Sequence, residues 1–141
     1  MIRVFWDTNL FIYMLEDYGT LTKQVRALLL GVEERRAHIV TSTMTLGELL
    51  VKPLRDGRRD VAEKYHEVLA SEAVTLVSFD EQCAWQYAQI RQDKSIQRVD
   101  AIQLACAAQA KCNLFITNDD RLSRKNVPGI QFILPLEKAF L

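Results

Sequence analysis

The pattern of hydrophobic and polar positions divides the chain into short strands that alternate with amphipathic helices. Short β-prone runs predict the strands, and apolar residues three or four positions apart predict the helices. The predicted strands cover residues 2–6, 38–41, 74–77, 114–117 and 130–133. The predicted helices cover residues 9–16, 20–36, 43–53, 61–70, 81–93 and 100–111. This alternation favours an α/β fold, a three-layer α/β/α arrangement with a small, largely parallel central sheet.

Several boundaries rest on particular residues. Thr20 is predicted to cap the second helix, Ser42 or Thr43 the third, and Asp80 the fifth. Pro53 is predicted to end the third helix, because proline disfavours helical backbone in the residue before it. Pro135 is predicted to open a terminal helical turn. The helix over 100–111 is apolar nearly all round, which predicts a buried helix.

Composition favours one domain over residues 1–141. Apolar residues make up 49% of the chain, enough for a core without disulfides or a structural metal. The 18 basic and 18 acidic residues balance, so contact with a polyanion requires basic residues grouped locally. The three cysteines form no C-x-x-C pair and are interpreted as buried thiols. No signal peptide or membrane span is recognisable, which predicts a cytoplasmic protein.

Four acidic residues occupy positions that suggest a shared site. Asp7 and Asp119 directly follow predicted strands, and ligands of open α/β sheets bind outside the carboxyl ends of the strands. Glu48 lies in a helix with few polar residues, and Asp100 begins the apolar helix. Each acid also has a purely structural interpretation: Asp7 and Asp100 as helix caps, Asp119 in an Asx-turn and Glu48 facing solvent.

A divalent cation offers a common explanation for the four acids. Carboxylates close together repel one another, and a bound cation removes that repulsion. Mg²⁺ or Mn²⁺ prefers oxygen ligands, whereas zinc prefers nitrogen and sulfur and fits poorly here. His38 and His66 lie far apart in sequence and are interpreted as structural or surface residues. No G-x-S-x-G elbow or glycine-rich phosphate loop is present.

The four acidic segments, in this order, resemble the motifs of PIN-domain nucleases. The matching segments are Asp7-Thr8-Asn9, Glu48-Leu49, Asp100-Ala101-Ile102 and Thr117-Asn118-Asp119, and the similarity extends from Val4 to about Leu122. The resemblance implies a Mg²⁺- or Mn²⁺-dependent ribonuclease. It also implies that Asp7, Glu48, Asp100 and Asp119 bind metal and position the attacking water.

The resemblance assigns supporting roles to three polar residues. Thr8, Asn9 and Thr117 are expected to orient the carboxylates that bind metal. Thr8 and Asn9 can equally be ordinary residues at the start of a helix. The sequence departs from the family's last motif, which often has a further acid a few residues on. Here Asp120 follows Asp119 directly, so either residue can be the fourth ligand.

Compact single-domain members of this family are typically VapC-like toxins of type II toxin–antitoxin systems, and the chain resembles them in length. That resemblance implies a homodimer and a cognate antitoxin that inhibits the enzyme. The amphipathic segments Leu10–Tyr18 and Gln24–Glu34 are candidate dimer surfaces, although such faces commonly cover a sheet.

Basic residues beside the acids are candidate contacts for RNA phosphates. Arg98 precedes Asp100 by two residues and is the preferred candidate, and Arg121 follows Asp119 by two. Further candidates are Arg55, Arg58, Arg59, Arg124 and Lys125. Two other functions stay open: a catalytically inactive module that binds RNA or protein, and a phosphate-receiving signalling domain. A haloacid-dehalogenase phosphatase is disfavoured because Asp7-Thr8-Asn9 lacks a second aspartate.

Overall fold

A computed structural model describes residues 1–139 and contains a five-stranded sheet whose neighbouring strands are all parallel. The strand order is β3-β2-β1-β4-β5. The bounds are β1 Arg3–Trp6, β2 His38–Ser42, β3 Val74–Val77, β4 Leu114–Thr117 and β5 Phe132–Pro135. In register, Phe5 lies beside Val40 on one side and Phe115 on the other. β1 and β4 are therefore adjacent, and their carboxyl ends lie at the same edge of the sheet.

Six α-helices within residues 1–139 connect and cover the strands. They are α1 Thr8–Leu15, α2 Thr20–Glu34, α3 Thr43–Arg55, α4 Arg59–Leu69, α5 Glu81–Ile90 and α6 Arg98–Gln109. Short 3₁₀ turns at Leu122–Arg124 and Leu136–Lys138 flank β5. No helix among residues 1–139 is long and apolar enough to cross a membrane.

The sheet separates two hydrophobic clusters, because successive strand residues point to opposite faces. Val4 and Trp6 pack on the side of α1–α4. Phe5 packs on the side of α5 and α6, and its ring stacks on Phe115 with ring centroids 4.9 Å apart. The predicted three-layer α/β/α fold with a small parallel sheet is confirmed. Seven of the twelve residues of α6 are buried, which confirms that this helix is internal.

Several local predictions differ from the structure. Gly19, with a positive φ of 63°, precedes α2, and Thr20 is the first helical residue instead of the cap. α3 continues past Pro53 to Arg55, so only the final turn follows the proline. β5 begins at Phe132 instead of residue 130, because Val127–Ile130 forms a turn.

The helices that follow the capping residues Ser42 and Asp80 begin as predicted. The side-chain oxygen of Ser42 accepts from the backbone N–H of Thr45, and that of Asp80 accepts from Cys83. α5 nevertheless ends at Ile90, three residues before the predicted end. Cys83, Cys106 and Cys112 are buried free thiols, as predicted.

Candidate functional site

Asp7 lies where β1 ends and α1 begins. Its Oδ1 accepts from the backbone N–H of Thr8 at 2.9 Å, and its Oδ2 accepts from the hydroxyl of Thr117 at 3.1 Å. The structural interpretation of Asp7 as a helix cap is thus confirmed. The same contacts fix the carboxylate in one orientation at the carboxyl edge of the sheet, as a metal ligand also requires.

Thr117, the last residue of β4, connects Asp7 to Asp119. Its hydroxyl donates to Asp7 and accepts from the backbone N–H of Asp119 at 3.1 Å. Asp119 Oδ1 in turn accepts from the backbone N–H of Arg121 at 2.9 Å, which forms the predicted Asx-turn. Thr117 is 1% exposed, so solvent does not compete for these bonds. The spatial link between Asp7 and Asp119 therefore runs through one buried hydroxyl.

Glu48 reaches the same edge of the sheet from α3. The hydroxyl of Thr8 donates to Glu48 Oε1 at 2.7 Å. Glu48 itself is exposed, which confirms its structural interpretation as a residue that faces solvent. Its helix turns the carboxylate outward while Leu49 faces the core. The bond from Thr8 nevertheless connects Glu48 to the residue that also holds Asp7.

Asp100 lies in the first turn of α6. Gln97 is the N-cap and the helix begins at Arg98, so the interpretation of Asp100 as the cap is wrong. A carboxylate in the first turn is stabilised by the positive end of the helix dipole. Asp100 and Asp119 line one cavity of about 280 Å³, together with Arg121.

Electrostatics indicate that the acids influence one another. The pKa of Asp7 is raised from 3.8 to about 6, mainly by burial and to a smaller extent by the charges of Asp100 and Glu48. Burial also raises the pKa of Asp100, with added contributions from the charges of Asp119 and Glu48. Arg121 opposes that shift. The four acids thus form one electrostatic group, with Arg121 beside it.

A hard divalent cation suits this donor set. All four candidate ligands supply carboxylate oxygen, and a cation would remove the mutual repulsion that raises two of their pKa values. Among residues 1–139, no three Asp, Glu, His or Cys side chains lie close enough to form a complete metal cage. Mg²⁺ does not need one, because it keeps several waters and binds through one or two carboxylates.

The remaining predicted residues differ in whether they line the cavity that contains Asp100 and Asp119. Asn9 is exposed on the first turn of α1, and Asp120 is exposed beside Asp119. Arg121 lines the cavity with Asp100 and Asp119, and its Nε is 3.9 Å from Asp119 Oδ1. Arg98 is exposed at the start of α6 and is absent from the lining of that cavity. The geometry therefore favours Arg121 over Arg98 as a phosphate contact.

The other basic candidates lie in three parts of the structure. Arg58 and Arg59 are engaged at the surface, Arg58 with Asp60 at 3.1 Å and Arg59 with Glu63 at 3.2 Å. Arg124 and Lys125 instead line the cavity that contains Asp100 and Asp119. Arg55 ends α3.

A buried polar network behind the site was not predicted. Gln103 of α6 is 1% exposed, and its Nε2 donates to Thr45 at 2.7 Å and to Thr8 at 3.4 Å. Its Oε1 accepts from the hydroxyl of Ser42. One glutamine therefore ties α6 to the start of α3 and to the residue that holds Glu48. The sequence signal for it is a glutamine inside a run of apolar residues in α6.

The comparisons with known proteins give a consistent fold. The sequence model of the PIN domain matches residues 4–128. No curated protein sequence matches the chain. Three solved structures are similar over nearly their whole length, at identities of 16–21% that support the fold alone.

Each of these structures covers most of both chains. VapBC2 from Rickettsia felis, bound to a DNA fragment from its promoter, has a TM-score of 0.75, 16% identity and coverage of 95% of this chain and 98% of its own. DNA-bound VapBC from Salmonella typhimurium has 0.68, 21%, 96% and 99% for the same quantities. VapC20 from Mycobacterium tuberculosis, described as a toxin that cleaves the sarcin–ricin loop, has 0.68, 16%, 89% and 97%.

Proposed function

Because this chain belongs to the PIN domain family, we propose that it is a divalent-metal-dependent endoribonuclease that hydrolyses RNA phosphodiester bonds. The observation that carries the proposal is the electrostatic group of Asp7, Glu48, Asp100 and Asp119 at the carboxyl edge of the sheet. The nuclease domain is proposed to span residues 1–141, with a cytoplasmic location.

One or two of the four carboxylates would coordinate a Mg²⁺ or Mn²⁺ ion directly, and the others would hold it through bound waters. When bound, the ion would lower the pKa of a coordinated water and neutralise charge on the phosphodiester. The chain's own groups orient these ligands. Thr117 holds Asp7 Oδ2, and Thr8 holds Glu48 Oε1. Backbone N–H groups of Arg121 and Leu122 hold Asp119 Oδ1. The ligands are thereby oriented before substrate arrives, which lowers the cost of assembling the site.

Arg121 offsets the negative charge that would otherwise repel RNA. Its side chain is 80% exposed, so the guanidinium can turn from Asp119 towards a phosphate oxygen. A bound cation would keep Asp7 ionised, although burial raises its pKa to about 6 in the metal-free protein. In this proposal the chain supplies the metal ligands, their orientation and one cation that faces the phosphate.

The test is cleavage of a mixed structured RNA with Mg²⁺, with Mn²⁺ and with EDTA. We expect metal-dependent cutting that Asp100→Asn lowers by at least about 100-fold, because that change removes charge but keeps shape. Persistent cutting by Asp100→Asn would place the activity in a contaminant or in another site. No cutting by the wild-type protein would favour the inactive binding module.

Asp119→Asn and Asp120→Asn form a matched pair for the fourth ligand. We expect the first to abolish cutting and the second to leave it intact, because Asp119 lines the cavity with Asp100 whereas Asp120 is exposed. The reverse result would assign the role to Asp120.

We further propose that the protein is the VapC-like toxin of a toxin–antitoxin pair, with a cognate antitoxin and a homodimeric form. The similar VapBC structures support this proposal. Leu30 of α2 is 59% exposed and Tyr18 is 49% exposed, which leaves apolar surface in the candidate dimer segments. Sedimentation at micromolar concentration tests the dimer, and a strict monomer would contradict it.

A further inference from the structure

The 3₁₀ turn Leu122–Arg124 carries an arginine at its end and follows another directly. Arg121 precedes the turn with helical dihedral angles (φ −68°, ψ −41°), and its carbonyl accepts from the backbone N–H of Arg124 at 3.3 Å. Side chains three residues apart in a 3₁₀ helix eclipse one another, about 6 Å apart along the axis. Both arginines line the cavity of about 280 Å³ that contains Asp100 and Asp119. The turn therefore presents two guanidinium groups to the acidic site from the same side.

Neither guanidinium is held firmly by the protein. Arg121 Nε lies 3.9 Å from Asp119 Oδ1, which is a loose ion pair, and its side chain is 80% exposed. Arg124 is exposed and pairs with no carboxylate among residues 1–139. Each guanidinium therefore keeps its fork of N–H donors available for a phosphate oxygen.

Lys125, the next residue along the chain, is bound to other side chains instead. Its ammonium donates to Asp93 Oδ2 at 3.0 Å and to the hydroxyl of Ser95 at 2.6 Å. Asp93 Oδ1 in turn accepts from the hydroxyl of Ser95 at 2.6 Å and from its backbone N–H at 3.0 Å. The hydrogen bonds from Ser95 and Lys125 lower the pKa of Asp93 to about 2, so this carboxylate stays charged at neutral pH. An ammonium has three donors, and two of those of Lys125 are already used.

The ion pair of Lys125 and Asp93 joins the two segments that form the acidic cavity. Asp93 and Ser95 belong to the loop that leads into α6 and so to Asp100, whereas Lys125 directly follows the 3₁₀ turn. The loop itself is anchored, because Ile96 is buried in the hydrophobic cluster of α5 and α6. Lys125 therefore ties the turn with the two arginines to a fixed part of the fold.

We propose that Arg121 and Arg124 form a phosphate clamp that binds two successive phosphates of the RNA strand, and that Lys125 is a positioning residue for this clamp. The inference rests on the proposed ribonuclease function and extends it from one phosphate contact to two. The spacing of the arginines along the turn is similar to the separation of neighbouring phosphates in a single strand. A dinucleotide has one phosphodiester and cannot fill both positions. The clamp therefore favours a longer strand, cut at an internal bond.

The salt dependence of RNA binding counts the phosphate contacts without any cleavage. In EDTA and in an Asp100→Asn background, we expect Arg124→Ala to reduce the slope of log affinity against log salt by about 0.7. Arg121→Ala together with Arg124→Ala should reduce it by about 1.4. The matched control is Lys94→Ala, an exposed cation of the neighbouring loop outside the cavity lining, which should leave the slope unchanged. An unchanged slope in Arg124→Ala would overturn the phosphate clamp.

Exchange of the charges of Asp93 and Lys125 separates a positioning role from a direct phosphate contact. Lys125→Asp alone places two acids face to face and should weaken RNA binding by roughly tenfold. Addition of Asp93→Lys restores the pair with reversed polarity, and the affinity should recover to within about threefold of the parent protein. A direct contact would not recover, because the cation then lies on the opposite segment, and that result would overturn the positioning role.

Asp93→Asn gives an independent measurement, since it releases Lys125 and keeps every cation of the cavity. RNA binding should weaken if Lys125 positions the turn, whereas a gain in affinity would show that Lys125 itself contacts phosphate. Neither binding experiment cuts RNA, so the ribonuclease is tested separately by metal-dependent cleavage with the wild-type protein. Cleavage by the wild type, with an unchanged salt slope in Arg124→Ala, would remove the phosphate clamp and leave the nuclease in place.

Discussion

Opposing effects act on the protonation of a single residue, Asp7. Its carboxylate caps α1 and accepts from Thr117, yet it lies half-buried near the charges of Asp100 and Glu48. Burial is the larger effect and raises its pKa from 3.8 to about 6. The folded protein therefore binds this proton more tightly than the unfolded chain.

We expect the metal-free protein to show this in its pH dependence. A raised pKa stabilises the fold fully below about pH 4, and that contribution is lost as pH rises through about 6. Asp7→Asn cannot ionise, so relative to wild type it should gain up to about 3 kcal/mol in the free energy of unfolding between pH 4 and 7.5. Urea unfolding in EDTA at several pH values measures the difference.

Addition of Mg²⁺ is the control for that measurement. At pH 7.5 the ion should stabilise the wild-type protein more than Asp7→Asn, because only the former supplies a full negative charge at this position. Equal pH profiles for the two proteins in EDTA would show that Asp7 has an ordinary pKa.

Gln103 is the second residue whose substitution should change the stability of the fold. We expect Gln103→Leu to destabilise the fold by about 1–3 kcal/mol, because Ser42 and Thr45 lose their buried partner. Gln109→Leu, the same change near the end of α6, should alter stability by less than about 0.5 kcal/mol. Urea unfolding of both variants checks this, and equal values would show that the network contributes little.

At the scale of elements, Gly129 sets the approach of the chain to β5. Its φ is 96°, and an added Cβ would lie 3.1 Å from Ala108 Cβ on α6. We expect Gly129→Ala to destabilise the fold by about 1–3 kcal/mol through backbone strain and overpacking. Chemical denaturation measures the change.

Replacement of Gly47 should have the opposite effect on stability. It lies inside α3, and a Cβ added there would meet no atom within 4 Å. Gly47→Ala should therefore stabilise the fold by up to about 1 kcal/mol through helix propensity. The same substitution should thus act with opposite signs at the two positions. If both substitutions changed the free energy of unfolding in the same direction, the packing described around the two glycines would not explain their effects.

The elements that sequence predicted best are two short β-prone runs. β3 and β4 have the predicted bounds, because both are β-prone runs between polar turns. The failures were at boundaries. A proline near the end of α3 interrupts few hydrogen bonds, and α6 gains an extra half-turn from Gln97. These outcomes depend on tertiary packing, which local preference does not contain.

The sequence predicts the acidic residues of the candidate site but not the hydrogen bonds that connect them. Strand ends placed Asp7 and Asp119 together, since parallel strands share one carboxyl edge. The hydroxyl bridge of Thr117 and the network of Gln103 depend on side-chain rotamers across elements distant in sequence. The preference for Arg98 followed from sequence proximity to Asp100, whereas the cavity brings Arg121 to that acid.

At the scale of the whole molecule, balanced charge limits how the protein could attract the proposed RNA substrate. With 18 basic and 18 acidic residues, no long-range field favours a polyanion. Association must then rest on a few cations near the cavity. The described structure places Arg121, Arg124 and Lys125 around the cavity with Asp100 and Asp119. The Lys125 side chain is 31% exposed and pairs closely with Asp93, whereas the Arg121 side chain is 80% exposed, so Arg121 is the more accessible charge.

Arg121→Ala and Arg98→Ala separate the two candidate contacts. In an Asp100→Asn background that does not cut, we expect Arg121→Ala to reduce the slope of log affinity against log salt by about 0.7, the value of one single-stranded phosphate contact. Arg98→Ala should leave the slope unchanged, because Arg98 is absent from the cavity lining. Fluorescence anisotropy with a labelled single-stranded RNA measures both. If only Arg98→Ala lowered the salt slope, the phosphate contact would belong to Arg98 at the start of α6. The RNA would then cross the surface beside that helix.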